Sequence, residues 1–252
     1  MFELSGKVAI VTGGNGGIGL GMALGLAKVG AHIAIFGRNR EKNAAALSEI
    51  EDLEVRASAH VVDVTNAPAI EKAVKDVTGR YGGLDILVNN AGMNIGVRPE
   101  ELSEKDWHTV LDTNVTSAFL CSKICYPELQ NAGGGKILNC GSMYSLFGAS
   151  FVPAYGASKG AMVQLTKSLA VAWAADNIQV NCFLPGWINT DLTAGAKKRI
   201  PELRDNVLRR TPAGRWGEPK DLEGIAVFLA SEASDFITGA AIPVDGGYTI
   251  SG

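Results

Sequence analysis

Short β-branched and apolar runs alternate along the chain with longer stretches of helical periodicity, and this alternation narrows the fold more than any other feature. Strands are predicted at Val8–Val11, His32–Phe36, Arg56–Val62, Ile86–Asn89, Lys136–Asn139, Ile178–Phe183 and Ala241–Val244. Helices are predicted at Ile18–Val29, Arg40–Ile50, Ala67–Arg80, Ser103–Asp112, Val115–Leu129, Tyr155–Ala175 and Lys220–Ala230. Most strand runs are continuously apolar, as expected where helices cover both faces of a parallel sheet. Parallel strands need covering crossovers, so the pattern implies a doubly wound α/β domain. No composition break divides residues 1–252, which are read as one domain. The alternation stalls only over Gly186–Thr211, a segment carrying Lys197, Lys198, Arg199, Arg204, Arg209 and Arg210. Long insertions at a strand's carboxyl end suit a substrate lid, so 186–211 is expected to be one; a solvated structural excursion is the alternative.

Composition excludes several classes. With 252 residues, 46% of them hydrophobic, the chain buries roughly 70–75% of its surface on folding and needs no disulfide or metal. A net charge of -3 argues against an obligate nucleic-acid partner. The four cysteines form no Cys-x-x-Cys pair and the three histidines are far apart, so no metal site is expected. Met1–Lys7 lacks a basic region followed by an apolar stretch, and Val8–Val11 is too short for a signal peptide or a membrane span; a cytoplasmic protein without membrane contact is expected.

Between the first strand and first helix stands Thr12-Gly13-Gly14-Asn15-Gly16-Gly17-Ile18-Gly19. Glycines allow a tight turn and let backbone N–H groups approach a pyrophosphate, while the helix start adds unpaired donors. A glycine cluster alone is only a turn; after a strand and before a helix it reads as a dinucleotide site. An NAD site places an acidic residue about 20 residues further on. Here the second strand ends Phe36-Gly37-Arg38-Asn39-Arg40, without a carboxylate. Arg38 suits a 2′-phosphate, so NADP(H) is preferred and NAD(H) remains open. Asp63 is a candidate for the adenine amino group, or equally a cap of the turn Asp63–Asn66.

Tyr155-Gly156-Ala157-Ser158-Lys159 opens a strong helical segment and puts Tyr155 and Lys159 on one face. A nearby ammonium favours the phenolate and brings a tyrosine towards useful acid–base range.

With these residues in place, the sequence resembles the short-chain dehydrogenase/reductase family over essentially its full length. Matching elements are Thr12–Gly19, Asn89-Asn90-Ala91-Gly92, Asn114, Ser142, Tyr155, Lys159 and Pro185-Gly186. The resemblance implies a Rossmann-type, seven-stranded parallel sheet of order 3-2-1-4-5-6-7 with helices on both faces. It implies that Tyr155 exchanges the proton with the substrate oxygen and that Ser142 holds that oxygen. Lys159 would bind the nicotinamide ribose and acidify Tyr155, and Asn114 would hold a relay water. Gly13, Asn15, Gly16, Gly17, Ile18, Gly19, Arg38, Asp63, Val64, Asn90, Ala91, Gly92, Pro185, Gly186, Ile188 and Thr190 would surround the cofactor with Tyr155 and Lys159. The bland rivals are that Ser142 caps a turn, Asn114 bonds nearby backbone and Asn90 shapes backbone. A homotetramer is implied, with the helices at Val115–Leu129 and Tyr155–Ala175 pairing with their copies and Phe236–Ile250 forming a second interface.

Gly21–Ala27, Ser103–Trp107 and Pro212–Gly217 look like runs in members acting on sugar acids, gluconate and 2-deoxy-gluconate dehydrogenases. Asn94, Arg98, Met143, Tyr144, Phe147, Phe151 and Trp187 are substrate-wall candidates, with Ser142, Tyr144, Tyr155 and Trp187 foremost. Arg98 or a lid arginine suits a carboxylate; the aromatics suit a cyclic alcohol or ketone equally. The expected reaction interconverts a secondary alcohol and a ketone on a small molecule. A 3-oxoacyl-thioester reductase and a non-catalytic dinucleotide sensor are the alternatives.

Overall fold

A computed structural model describes residues 1–199 and 201–251; within the expected lid, Ile200 and the side chains of Lys198 and Arg199 lie outside the described residues. Strands β1 (Val8–Thr12), β2 (His32–Gly37), β3 (Ala57–Val61), β4 (Ile86–Asn89), β5 (Gly135–Cys140), β6 (Ile178–Pro185) and β7 (Ala241–Val244) form one sheet. Its order is β3-β2-β1-β4-β5-β6-β7, as the family resemblance implied, and every pairing is parallel. Order reverses between β1 and β4, and a crevice opens at such a reversal beyond the strands' carboxyl ends.

Helices α1 (Gly17–Lys28), α2 (Arg40–Glu51), α3 (Ala67–Tyr81), α4 (Glu104–Leu111), α5 (Ser117–Asn131), α6 (Pro153–Trp173), α7 (Asp191–Arg199), α8 (Leu203–Arg210) and α9 (Glu223–Ala230) complete the architecture. Alternate strand residues go to opposite cores, which is why the strands read as unbroken apolar runs. Ala9, Val11, Ile33 and Ile35 pack with Met22 and Leu26 of α1, Ile50 of α2 and Leu229 of α9. Val8, Ile10, Ala34 and Phe36 face Ile70 and Val74 of α3, Cys125 and Leu129 of α5 and Leu169 of α6. Truncating one of the leucines, isoleucines or Met22 among these to alanine costs about 2–5 kcal/mol.

Local chemistry sets the helix starts. The side chains of Asn39, Asn66 and Ser103 accept from Lys42 N, Ala69 N and Asp106 N at the first turns of α2, α3 and α4. Two expectations change. The helices predicted at Ser103–Asp112 and Val115–Leu129 are joined through a π turn, Asp112–Thr116, with Asn114 fully buried inside it. The stalled segment holds α7 and α8, whose polar sequences carry too weak an apolar pattern to announce two helices. Among the described residues, no helix is long and apolar enough to cross a membrane.

Candidate active site

The crevice contains a groove of about 520 Å³ lined by the glycine turn, the ends of β2 to β5, α6 and the start of α7. Gly13, Asn15, Gly16, Gly17, Ile18, Arg38, Asp63, Val64, Asn90, Ala91, Gly92, Tyr155, Lys159 and Thr190 all line it. The turn is tied down from β4. Asn90 Nδ2 donates to the carbonyls of Thr12 (3.1 Å) and Gly13 (3.2 Å), and the N–H groups of Asn90 and Ala91 donate to Thr12 Oγ1. Gly13 sits at φ 63°, and a Cβ there would stand 3.0 Å from Asn90 Nδ2. A Cβ on Gly16 would meet only open space. The result is an unobstructed cradle at a helix start, and it fits a dinucleotide pyrophosphate.

Four of the expected cofactor residues stand elsewhere. Gly19 packs beneath the turn, where a Cβ would collide with the Gly13 carbonyl oxygen and Asn90 Nδ2. Pro185 is buried at the end of β6. Ile188 is buried in the core against Gly217, with which it forms an isolated parallel bridge. Gly186 lines the neighbouring, smaller pocket.

Exposed Arg38 lies at the adenosine end of the groove with Asn39 and Lys42. Lys42 was not singled out from sequence; it stands in the first turn of α2, close in sequence to Arg38, and lines the same groove. It donates to Asp191 of α7 at 2.6 Å, so an ion pair links the groove to the segment 186–211. Asp63 Oδ1 accepts from Thr65 N (3.0 Å) and Thr65 Oγ1 (2.8 Å). These bonds hold its carboxyl below the ordinary range, so the turn-capping role weighed from sequence is present.

At the other end α6 presents Tyr155 and Lys159. Lys159 Nζ donates to the Cys140 carbonyl at 2.6 Å and stands 5.5 Å from the Tyr155 ring centroid. Burial pushes the Tyr155 phenol above its ordinary value; Lys159 and the Ser142 hydroxyl act downward without overcoming it. The expected acidification is therefore present as a contribution but not as the net effect. Burial acts to lower the Lys159 ammonium, whereas Cys140, Tyr155 and Cys182 raise it, leaving it above the ordinary lysine value. Ser142 accepts from Tyr144 N at 3.2 Å and so caps the turn Met143–Ser145. Ser145 Oγ in turn donates to the Lys159 carbonyl at 2.7 Å, fixing that turn against α6.

The Asn114 amide makes three hydrogen bonds. Its oxygen accepts from Met93 N (2.8 Å), and its nitrogen donates to Met93 O (3.0 Å) and the Ser158 hydroxyl (2.9 Å). The backbone-bonding rival is thus what the side chain does. Both N–H groups are used, and one lone pair of the oxygen remains as the side chain's site for a relay water.

Beside Tyr155 lies a pocket of about 170 Å³ lined by Asn94, Ser142, Met143, Tyr144, Phe151 and Trp187, and by Leu192, Thr193 and Ala196 of α7. Tyr144 is its hub, with ring centroids 6.2 Å from Tyr155, 6.3 Å from Trp187 and 5.5 Å from Phe147. Arg98 does not line it: that side chain is exposed and pairs with Glu100. Among the described residues, no His, Cys, Asp and Glu cluster could hold a metal, and all four cysteines are buried free thiols.

Residues 13–249 match the sequence model of a family described as enoyl-(acyl carrier protein) reductase. Gluconate 5-dehydrogenase of Gluconobacter oxydans is 40% identical over 254 residues, covering 100% of this chain and 98% of that one. The 2-dehydro-3-deoxy-D-gluconate 5-dehydrogenase of Escherichia coli is 41% identical over 98% of this chain and 97% of its own length. A solved gluconate 5-dehydrogenase from Burkholderia cenocepacia, in complex with NADP and tartrate, superimposes with a TM-score of 0.94 at 38% identity, over 100% of this chain and 98% of that one. With this fold, this groove and these relatives, the chain belongs to the short-chain dehydrogenase/reductase family.

Proposed function

We propose that the chain interconverts a secondary alcohol and a ketone on an open-chain sugar acid, with NADP(H) as the preferred dinucleotide. One observation carries the reading: Tyr155 lies where the cradle-bearing groove meets the small pocket, and it lines both. The names of the relatives support the sugar acid. Arg38, with no carboxylate in Phe36-Gly37-Arg38-Asn39-Arg40, supports the 2′-phosphate, which its planar fork can pair.

The nicotinamide, when bound, supplies or accepts the hydride. The residues of the chain handle the oxygen and its proton. In reduction the Tyr155 hydroxyl donates its proton to the carbonyl oxygen; in oxidation the phenolate takes it from the alcohol. Ser142 holds the same oxygen by a hydrogen bond, and its capping role fixes where that hydroxyl points. Lys159 contributes its charge to Tyr155 and its donors to the ribose. The Asn114 network positions α6 against the neighbouring helix, so that phenol and ammonium stay aligned. The segment 186–211 acts as the lid, with α7 over the pocket. A cytoplasmic homotetramer completes the reading, supported by the exposed Phe119, Val171, Phe236 and Ile250.

The test is a spectrophotometric screen of sugar acids, polyols and cyclic alcohols with NADP and NAD in parallel. Turnover of gluconate-type acids with NADP is expected. Turnover confined to cyclic alcohols, or to NAD, would replace the substrate or the cofactor in this reading.

A further inference from the structure

A run of buried side-chain hydrogen bonds crosses the sheet beneath the crevice, outside the groups that handle the substrate oxygen. Asn89 Nδ2, at the end of β4, donates to Ser122 Oγ of α5 (3.0 Å) and to Asn139 Oδ1 of β5 (2.8 Å). Asn139 Nδ2 donates to Thr166 Oγ1 of α6 (2.9 Å), which donates onward to the Met162 carbonyl (2.8 Å). All four of these polar residues are buried, and Asn89 Oδ1 has no partner. A buried polar network with an atom left unpaired is costlier than apolar packing, so what it contributes is geometry.

Its place relative to Lys159 gives that geometry a use. Cys140, whose carbonyl takes the Lys159 ammonium at 2.6 Å, is the residue after Asn139. Thr166 lies two turns beyond Lys159 on nearly the same face of α6, about 10 Å further along the axis. Consecutive residues of β5 therefore hold α6 at two separated points. The other side-chain bonds that tie α6 down, from Asn114 to Ser158 and from Ser145 to the Lys159 carbonyl, fall within a single turn. Anchors in one turn leave a helix free to tilt about them, and a second point two turns away removes that freedom. Met162, Leu169 and Ala170 of α6 pack in the apolar cores, but such packing is not directional.

We infer that Asn139 and Thr166 are positioning residues for the reaction, acting through Lys159: their bond sets the tilt of α6 and with it the place of the ammonium beside Tyr155. This rests on the part given to Lys159 in the reading above and not on the identity of the substrate. A misplacement of about 1 Å can cost about 100-fold in rate, so a shift too small to unfold the chain is still read in kcat.

The experiment compares Thr166→Val, which keeps the shape and loses the hydroxyl, with Thr166→Ser, which keeps the hydroxyl, in the full chain. Kinetics use NADP and the fastest substrate of the screen above, at a temperature well below every midpoint. NADPH affinity is read by fluorescence titration and stability by thermal melts. For Thr166→Val, kcat is expected to fall about tenfold with substrate KM within about twofold. NADPH should bind several-fold more weakly, because Lys159 supplies donors to the ribose. Thr166→Ser should recover both. Thr166→Ala, which leaves room for a water at Asn139 Nδ2, is the variant to use should the valine chain not fold, and the same losses are expected of it. A lower Tm with unaltered kcat and NADPH affinity would overturn the inference, as would a serine variant as impaired as the valine one. If the unaltered protein turns over none of the screened substrates, the functional reading falls, and the NADPH titration of these variants still decides whether Thr166 places Lys159.

Discussion

Asn114 Nδ2 donates to the Ser158 hydroxyl at 2.9 Å, and that bond ties the π turn between α4 and α5 to the turn of α6 that carries Tyr155 and Lys159. Ser158 passes the connection on, donating to the Tyr155 carbonyl at 2.7 Å. Replacing Asn114 with alanine leaves the Met93 N–H and carbonyl without their side-chain partner in a buried site. A stability loss of about 1–3 kcal/mol is expected, seen as a Tm lower by a few degrees per kcal/mol. The rate should fall further than stability explains, because α6 loses its tether. Thermal melts and kinetics at a temperature well below both midpoints separate the two effects; a variant with unchanged kcat would show that the tether does not position the helix.

Tyr155→Phe removes one hydroxyl and keeps the ring that packs against Tyr144. Turnover is expected to fall about 10²- to 10⁴-fold, the usual contribution of a positioned acid or base. NADP affinity, read by fluorescence titration, should stay within a few-fold. The sign of the pH dependence follows from burial, which holds this phenol above its ordinary value while Lys159 pulls the other way. Oxidation needs the phenolate and should climb with rising pH; reduction needs the protonated form and should not. Retained turnover in the phenylalanine variant would remove Tyr155 from the reaction.

Arg38→Ser tests the cofactor preference. An exposed arginine facing a 2′-phosphate contributes a charge-assisted pair, so KM for NADP should rise about tenfold or more while KM for NAD changes little. Lys42 supplies a neighbouring cation in the same groove, and Lys42→Ser should add to the effect while also releasing Asp191 of α7. Equal changes for both dinucleotides would mean that Arg38 recognises something other than the phosphate.

The central strands were legible in the sequence because both of their faces are buried: Val8–Thr12 carries no polar residue to blur the pattern until Thr12, whereas the order of the strands came from the family resemblance. The glycine turn, Tyr155 and Lys159 were legible because local geometry alone gives them meaning. What escaped depends on contacts between distant segments. Asn114 sits in an apparent gap between two helical patterns, and its partners Met93 and Ser158 come from other parts of the chain. Lys42 looked like one more surface charge until α7 brought Asp191 to it. Arg210 was one of six basic residues in the segment 186–211, and the packing of Phe147 and Tyr248 distinguishes it. Ile188 follows the family motif yet turns its side chain to the core, because Gly217 leaves room for it there.

Beyond α8, Arg215 Nη1 and Nη2 donate to Asp221 Oδ2 (2.6 Å) and Oδ1 (2.9 Å), and Glu218 N also donates to Oδ2 (2.7 Å). The Arg215 hydrogen bond is the main cause that holds the Asp221 carboxyl down at about 2. A depressed carboxylate stabilises the fold above its unfolded value, about 3.9, and that contribution is lost as pH falls through the folded value. Asp221→Asn should therefore lower the urea midpoint at pH 7 by an amount equivalent to about 1 kcal/mol. The gap from the unaltered protein should shrink between pH 4 and the lower limit of folding. A gap independent of pH would assign the loss to altered packing.

Large apolar side chains left exposed on one copy define the last expectation. Phe119 on α5 is 43% exposed, Val171 on α6 83%, and Phe236 beyond α9 fully so. Side chains of this size scattered singly need no explanation, but α5 and α6 carry theirs on the helices expected to meet their own copies. An isologous interface places each residue near its own copy or its two-fold mate, so one glutamate substitution puts two like charges into the contact. Val171→Glu should therefore dissociate the assembly along the helical interface, and Phe236→Glu along the C-terminal one. Light scattering of the unaltered chain should give four copies, and each variant alone should give two if the interfaces are independent. A monomeric mass for the unaltered chain would show that these side chains face solvent in the working protein.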